Sequence, residues 1–125
     1  MKVLLVSGDP RSREAMQMAV AGVQSPDEVE FLEATNGERG VALAWEALPE
    51  VVIADEIVSR AGAFSLAHDL RGAPKPFDGR IIILLERAQD AWLAEWSGAD
   101  AWFVKPVDPL ELSAKVRELV AEEAA

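Results

Sequence analysis

One stretch, Pro49-Glu50-Val51-Val52-Ile53-Ala54-Asp55-Glu56, constrains the fold more than any other. Val51 to Ala54 are apolar without alternation and rich in β-branched residues, so the strand they form must be covered on both faces. A central parallel strand packed between helices meets that demand. The strand closes on a carboxylate, Asp55, and open α/β sheets keep their chemistry at the carboxyl ends of such strands. Asp55 is therefore the first candidate for a working residue.

The rest of the chain repeats this unit. Lys2 to Val6 forms a first strand, and Ser7-Gly8-Asp9-Pro10 opens a helix with Asp9 as N-cap and Pro10 in its first turn, running to about Val23. Gln24-Ser25-Pro26-Asp27 breaks the pattern, and Val29 to Ala34 resumes it as a strand with Val29 and Phe31 on one face. Thr35 and Glu38 are spaced as a capping box for a helix to about Leu48, which Pro49 stops. Beyond Asp55, Glu56 to Gly62 is a loop, and Phe64, Leu66, Ala67 and Leu70 mark one face of a third helix. Gly72 to Pro76 is a connector, Arg80 to Leu85 a strand, and Ala88 to Ser97 a helix closed by Gly98. Ala101 to Val104 is the fifth strand. Asp108-Pro109 with Glu111 starts a last helix that turns Leu112, Val116, Leu119 and Val120 inward.

Five strands alternating with five helices, with no repeat or linker, imply a doubly wound α/β fold with a parallel sheet and helices on both faces. The order 2-1-3-4-5 suits five strands and brings Asp9 and Asp55 to one rim. A length of 125 residues, 50% hydrophobic, fits one domain spanning residues 1–125. Formal charge is −10, which argues against direct contact with nucleic acid or anionic membranes. There is no cysteine, which excludes disulfides and thiolate metal sites and suits a reducing compartment. The first apolar run is too short for a signal peptide or a membrane span, so a cytoplasmic location is expected.

From end to end the chain resembles the receiver domain of two-component response regulators. The matching stretches are Val3 to Val6 with Asp9-Pro10, Ala34-Thr35-Asn36-Gly37-Glu38, Pro49 to Asp55, Gly98-Ala99-Asp100 and Val104-Lys105-Pro106. The resemblance implies a flavodoxin-like fold and a phosphorelay role, with a histidine kinase or phosphotransfer protein as donor and an output protein or domain as target. It matches Asp55 to the phosphoacceptor and Lys105 to the lysine that pairs with the phosphate, with a plausibly cis Lys105-Pro106 bond. Phosphoryl transfer to a carboxylate sets anion against anion, so a hard cation such as Mg²⁺ is needed. The resemblance draws its ligands from two consecutive acids after the first strand, the acceptor aspartate, and the backbone carbonyl matched by Ile57.

This sequence departs from that pattern. Ser7 and Gly8 stand at the acid pair, and Asp9 matches the helix cap, so Mg²⁺ binding should be weak. Leu85 stands where a switch Ser or Thr is usual, and Glu86 adds charge and bulk where a small residue admits the phosphodonor. Lys105 should pair with Asp55 or Glu86. Glu56 and Glu86 could instead rebuild a metal site, and Ser7 could lend an oxygen or be only a turn residue.

The single histidine, His68, has no partners spaced for metal or catalysis and reads as a surface helix position. Of the four tryptophans, Trp45, Trp92, Trp96 and Trp102, the resemblance puts Trp102 at the switch aromatic, Trp92 inward and Trp96 on the outer side of the fourth helix. An exposed tryptophan beside Trp102 would mark the face made by helix four, strand five and helix five for targets or a homodimer; otherwise these rings are extra core. The expectation is a non-enzymatic signalling module working largely by protein contact. A flavodoxin-like ligand-binding or enzymatic domain is the competing reading, weakened by the lack of a Gly-rich phosphate loop and of an evident nucleophile and base.

Overall fold

The structure, a computed structural model, describes residues 1–21 and 28–124. In chain order the elements are β1 (Lys2–Val6), α1 (Pro10–Ala21), β2 (Glu30–Ala34), α2 (Gly37–Ala47), β3 (Val51–Asp55), α3 (Ala63–Arg71) and β4 (Arg80–Leu85). A 3₁₀ turn (Ala88–Asp90), α4 (Ala91–Ser97), β5 (Ala101–Val104) and α5 (Pro109–Ala124) follow. The strands form one parallel sheet in the order β2-β1-β3-β4-β5, as the alternation predicts. The last residues assigned to the first helix, 22–23, and the break at Gln24 to Asp27 lie outside the described residues.

Side chains of each central strand go alternately to two cores. Leu4, Val6, Val52, Ala54, Ile81, Ile83 and Leu85 pack under α2, α3 and α4 with Leu66, Leu70 and Ala94. Val3, Leu5, Val51, Ile53, Ile82 and Leu84 pack under α1 and α5 with Met16, Val20, Leu112 and Val116. All five residues of β3 are buried, which is why its sequence shows no alternation. Each such aliphatic side chain contributes about 1.5–3 kcal/mol by leaving water.

Three local expectations change. The cap of α2 is Asn36, whose Oδ1 accepts from the Arg39 amide at 2.8 Å, in place of a Thr35–Glu38 box. Asn36 lies one residue nearer the helix, so its short amide side chain reaches the third helical N–H. The helix still ends at Pro49, with Leu48 as a left-handed cap at φ 50° whose N–H returns to the Ala44 carbonyl. The fourth helix divides into the 3₁₀ turn and a seven-residue α4, closed by Gly98 at φ 88° as expected.

Trp92 is not inward. Residues four apart on a helix share a face, and Ala94 and Ser97 hold the buried stripe of α4, so Trp92 and Trp96 both point out, 65% and 59% exposed.

Candidate functional site

The carboxyl ends of β1, β3 and β5 converge on Asp55. Its place is fixed by the register, in which Asp55 lies opposite Leu84 on β4 and Val6 lies opposite Ala54. Only 3% of the residue is exposed, so its oxygens depend on protein partners. Oδ2 accepts from the Ser7 hydroxyl and from the Ser12 hydroxyl, the latter at 2.9 Å. Lys105 Nζ lies 2.9 Å from Oδ1 as an ion pair, without the angle of a full hydrogen bond. The same ammonium donates to Glu86 Oε1 at 2.8 Å, so one cation bridges two carboxylates. The bond from Lys105 to Pro106 is cis, as the resemblance suggested.

Burial pulls the Lys105 ammonium down, but hydrogen bonds and charges from Glu86 and Asp55 outweigh it and leave the group above its ordinary 10.5. Lys105 thus stays a cation at any physiological pH.

Ser7 lies in the turn after β1 and is buried against Asp55. Its carbonyl accepts from Arg13 Nη1 at 2.7 Å, and Arg13 pairs with Glu33 at 3.1 Å, which holds the turn between β1 and α1 against β2. Asp9 caps α1 as expected, its Oδ1 accepting from the Arg11 amide at 2.9 Å. Gly8 brings no side chain. Ser12 and Arg13 escaped the sequence reading. The available signal was their place in the first turn of a helix that opens at the strand-end rim, where side chains are carried toward the crevice.

Glu56 turns away from Asp55. Its Oε1 accepts from the Glu86 amide at 3.1 Å, and its carboxyl hydrogen-bonds Asp90, which also pairs with Arg87 at 3.2 Å. Burial first, then the hydrogen bond to Asp90, raises the Glu56 carboxyl above 4.5, while the bond from Glu56 lowers Asp90 below 3.8. These contacts tie the loop after β3 to the loop after β4. The loop after β3 is anchored a second time at α2, where the Gly37 and Glu38 amides donate to the Ser59 and Arg60 carbonyls at 2.9 and 2.8 Å. Arg60 and Ala61 take φ 54° and 76° to present those carbonyls, a strained pair for residues with a Cβ.

The donor set fits a divalent cation poorly. Magnesium needs about six oxygens in an octahedron. Asp55 has both oxygens engaged, Asp9 caps a helix, and the exposed Ile57 offers a carbonyl. Among the described residues no three His, Cys, Asp or Glu side chains converge as a metal site. Glu56 and Glu86 do not rebuild one, because the first bonds Asp90 and the second Lys105.

Leu85 is fully buried in the core under α4 and opposite Val104. Trp102 is half-buried against the same core. Trp96 stacks on His68 of α3, with ring centroids 4.4 Å apart and planes 5° from parallel. It therefore leans toward α3, and Trp92 is a second exposed ring of α4. His68 is exposed there, as the sequence indicated.

No protein-family model matches the chain. It is 27% identical over 123 residues to the DNA-binding dual master transcriptional regulator RpaA of Synechocystis sp., covering 95% of this chain and 48% of that protein. It is 27% identical over 124 residues to an uncharacterized response regulatory protein of Mycobacterium tuberculosis, covering 96% of this chain and 91% of that one. A solved response regulator receiver domain protein (CheY-like) from Methanospirillum hungatei superposes with a TM-score of 0.83 at 18% identity, over 98% of this chain and 95% of the other. Its homologues are response regulators, and its fold is that of their receiver domain. The chain spans about half the length of RpaA and nearly all of the mycobacterial relative. Asp100 illustrates how the receiver's shared stretches act structurally: its Oδ2 accepts from the Ile81 amide at 2.7 Å and pairs with Arg71, fastening β4 to the turn before β5.

Proposed function

We propose that this receiver operates without a phosphorylation switch, as a fixed surface read by a partner protein in a two-component pathway. The observation that carries the reading is how Asp55 is held: both hydroxyls fall on Oδ2, and Oδ1 faces the Lys105 ammonium as an ion pair. Two hydroxyls and an ammonium surround its carboxylate, where a phosphoacceptor would need a metal and an oxygen aimed at the donor. Asp55 and Lys105 keep the phosphoacceptor and phosphate-pairing positions, but their role here is to hold the strand ends together. Glu86, drawn onto Lys105, adds a negative charge at the mouth and opposes an incoming phosphoryl group. The hydroxyl that would report phosphate is replaced by Leu85, which contributes core packing.

In this reading Mg²⁺ binds weakly, through Asp55, the Ile57 carbonyl and Asp9, and the chain is a signalling module, not an enzyme. Partners are an output protein or domain and a histidine kinase or phosphotransfer protein that docks without transferring phosphate. A homodimer would use the α4, β5 and α5 face, where Trp102 and Val104 lie on the same side of edge strand β5. No helix of the described residues is long and apolar enough to cross a membrane, and a cytoplasmic site of action fits that.

Intact mass after incubation with acetyl phosphate and Mg²⁺ tests the reading, with Asp55→Asn as control. We expect no adduct on either chain, and no change in Trp102 fluorescence on adding Mg²⁺. A phosphate adduct that disappears in Asp55→Asn would overturn it.

A further inference from the structure

A cavity of about 460 Å³ opens beside the Asp55 site, between α1, α5 and the loop that follows β5. Its walls are apolar, formed by Ala15, Met16 and Ala19 of α1, Leu84, Val107 and Leu112. Polar groups occur at one end only, where Ser12, Glu86 and Lys105 meet. That volume falls in the range of small-molecule sites, and an apolar body with one polar end is the ligand shape such a lining takes.

Charge decides the polar end. Lys105 is already held between Asp55 at 2.9 Å and Glu86 at 2.8 Å, so the mouth holds two carboxylates and one ammonium. A ligand anion reaching the remaining N–H of Lys105 would sit beside two carboxylates, a net negative charge. A ligand cation meets Glu86, whose side chain is 39% exposed and keeps a second oxygen outside the Lys105 bond. It also meets the Ser12 oxygen, which donates its proton to Asp55 and retains lone pairs to accept. The chain's net charge of −10 favours the same sign at long range.

We infer that this cavity binds a small amphipathic amine, with its ammonium on Glu86 and Ser12 and its apolar body between α1 and α5. The site borders the Asp55 cluster through Ser12 and Lys105 but requires no phosphoryl transfer.

The test is titration calorimetry of the full chain at neutral pH with 3-phenylpropylamine, 3-phenylpropanol and 3-phenylpropanoate, together with the NMR shift of the Met16 methyl group. The amine should bind and move the Met16 signal, the alcohol should bind at least about tenfold more weakly, and the carboxylate should bind most weakly. Glu86→Gln should weaken the amine about tenfold while leaving the alcohol unchanged. Ala15→Leu, at an exposed helix position on the groove, should weaken both. The inference fails if no probe binds the folded chain, if the carboxylate binds as tightly as the amine, or if Glu86→Gln leaves amine binding intact. Because Glu86 is on the surface, that variant remains informative even if filling the groove at Ala15 disturbs the helix.

Discussion

Replacing Ser7 and Gly8 together by aspartate converts a site with few anionic oxygens into one that demands a cation. Ser7 is buried and its hydroxyl donates to Asp55 Oδ2, so Ser7→Asp exchanges a donor for a second carboxylate facing the first. Two unit charges about 4 Å apart repel by about 4 kcal/mol at an effective dielectric constant of about 20, and the lost hydroxyl bond adds about 1 kcal/mol. Lys105, already on the other Asp55 oxygen, offsets part of this, and we expect a net loss of about 3 kcal/mol. Gly8→Asp fits by itself: a Cβ there would lie 3.5 Å from the Thr35 carbonyl oxygen, an ordinary contact, on an exposed residue. Mg²⁺ at about one hundred times its dissociation constant would restore about 2.7 kcal/mol. At about 3–5 °C per kcal/mol for a domain of this size, the double variant should melt about 10 °C below the parent chain in EDTA and recover most of that in Mg²⁺. The parent chain should melt at the same temperature in both. Thermal melts followed by far-ultraviolet circular dichroism measure all four states. A double variant as stable as the parent in EDTA, or one that Mg²⁺ fails to rescue, would refute the account of Ser7 as the group that replaces the metal.

Two further outcomes concern the loops that frame the site. Because Glu56 is held above 4.5 when folded, its proton is retained by the native state and released by the unfolded chain. Its contribution is therefore full below pH 4.5 and declines as pH rises through the raised value. Glu56→Gln keeps an acceptor for the Glu86 amide and a donor for Asp90, so urea midpoints from pH 4 to 8 should diverge progressively in favour of the variant as pH rises. Parallel curves would show that the native state does not retain the Glu56 proton. Gly37→Ala should cost about 2–3 kcal/mol in urea unfolding, because a Cβ there would come 1.8 Å from the Ala61 carbonyl oxygen, which is backbone and cannot step aside. Gly8→Ala provides the comparison and should cost well under 1 kcal/mol, since its Cβ has room.

Several features of the site were legible in the chain itself. The carboxylate closing an all-apolar strand located Asp55, and Val104-Lys105-Pro106 located its ion-pair partner. What escaped was the identity of the other groups on Asp55. Ser7 and Ser12 are ordinary turn and helix residues by sequence, and only the approach of β1 and α1 to β3 puts both hydroxyls on one oxygen. Glu56 looked available to the site because it follows Asp55. The turn after β3 sends it instead to Asp90, thirty-four residues on.

Sequence alone determined the strands, the helices and the parallel order of the sheet. Those follow from local periodicity and from the requirement that a strand apolar on both faces be covered twice, conditions that hold whatever the neighbours are. Tertiary structure decided everything that depends on side-chain direction across elements. Lys105 serves two carboxylates at once, the Glu56 carboxyl turns to Asp90, and Trp96 stacks on His68. Each is a contact a few ångströms long between residues distant in sequence or on different helices. Such contacts depend on helix rotation and loop path, which the packed core fixes and the pattern of apolar residues leaves open.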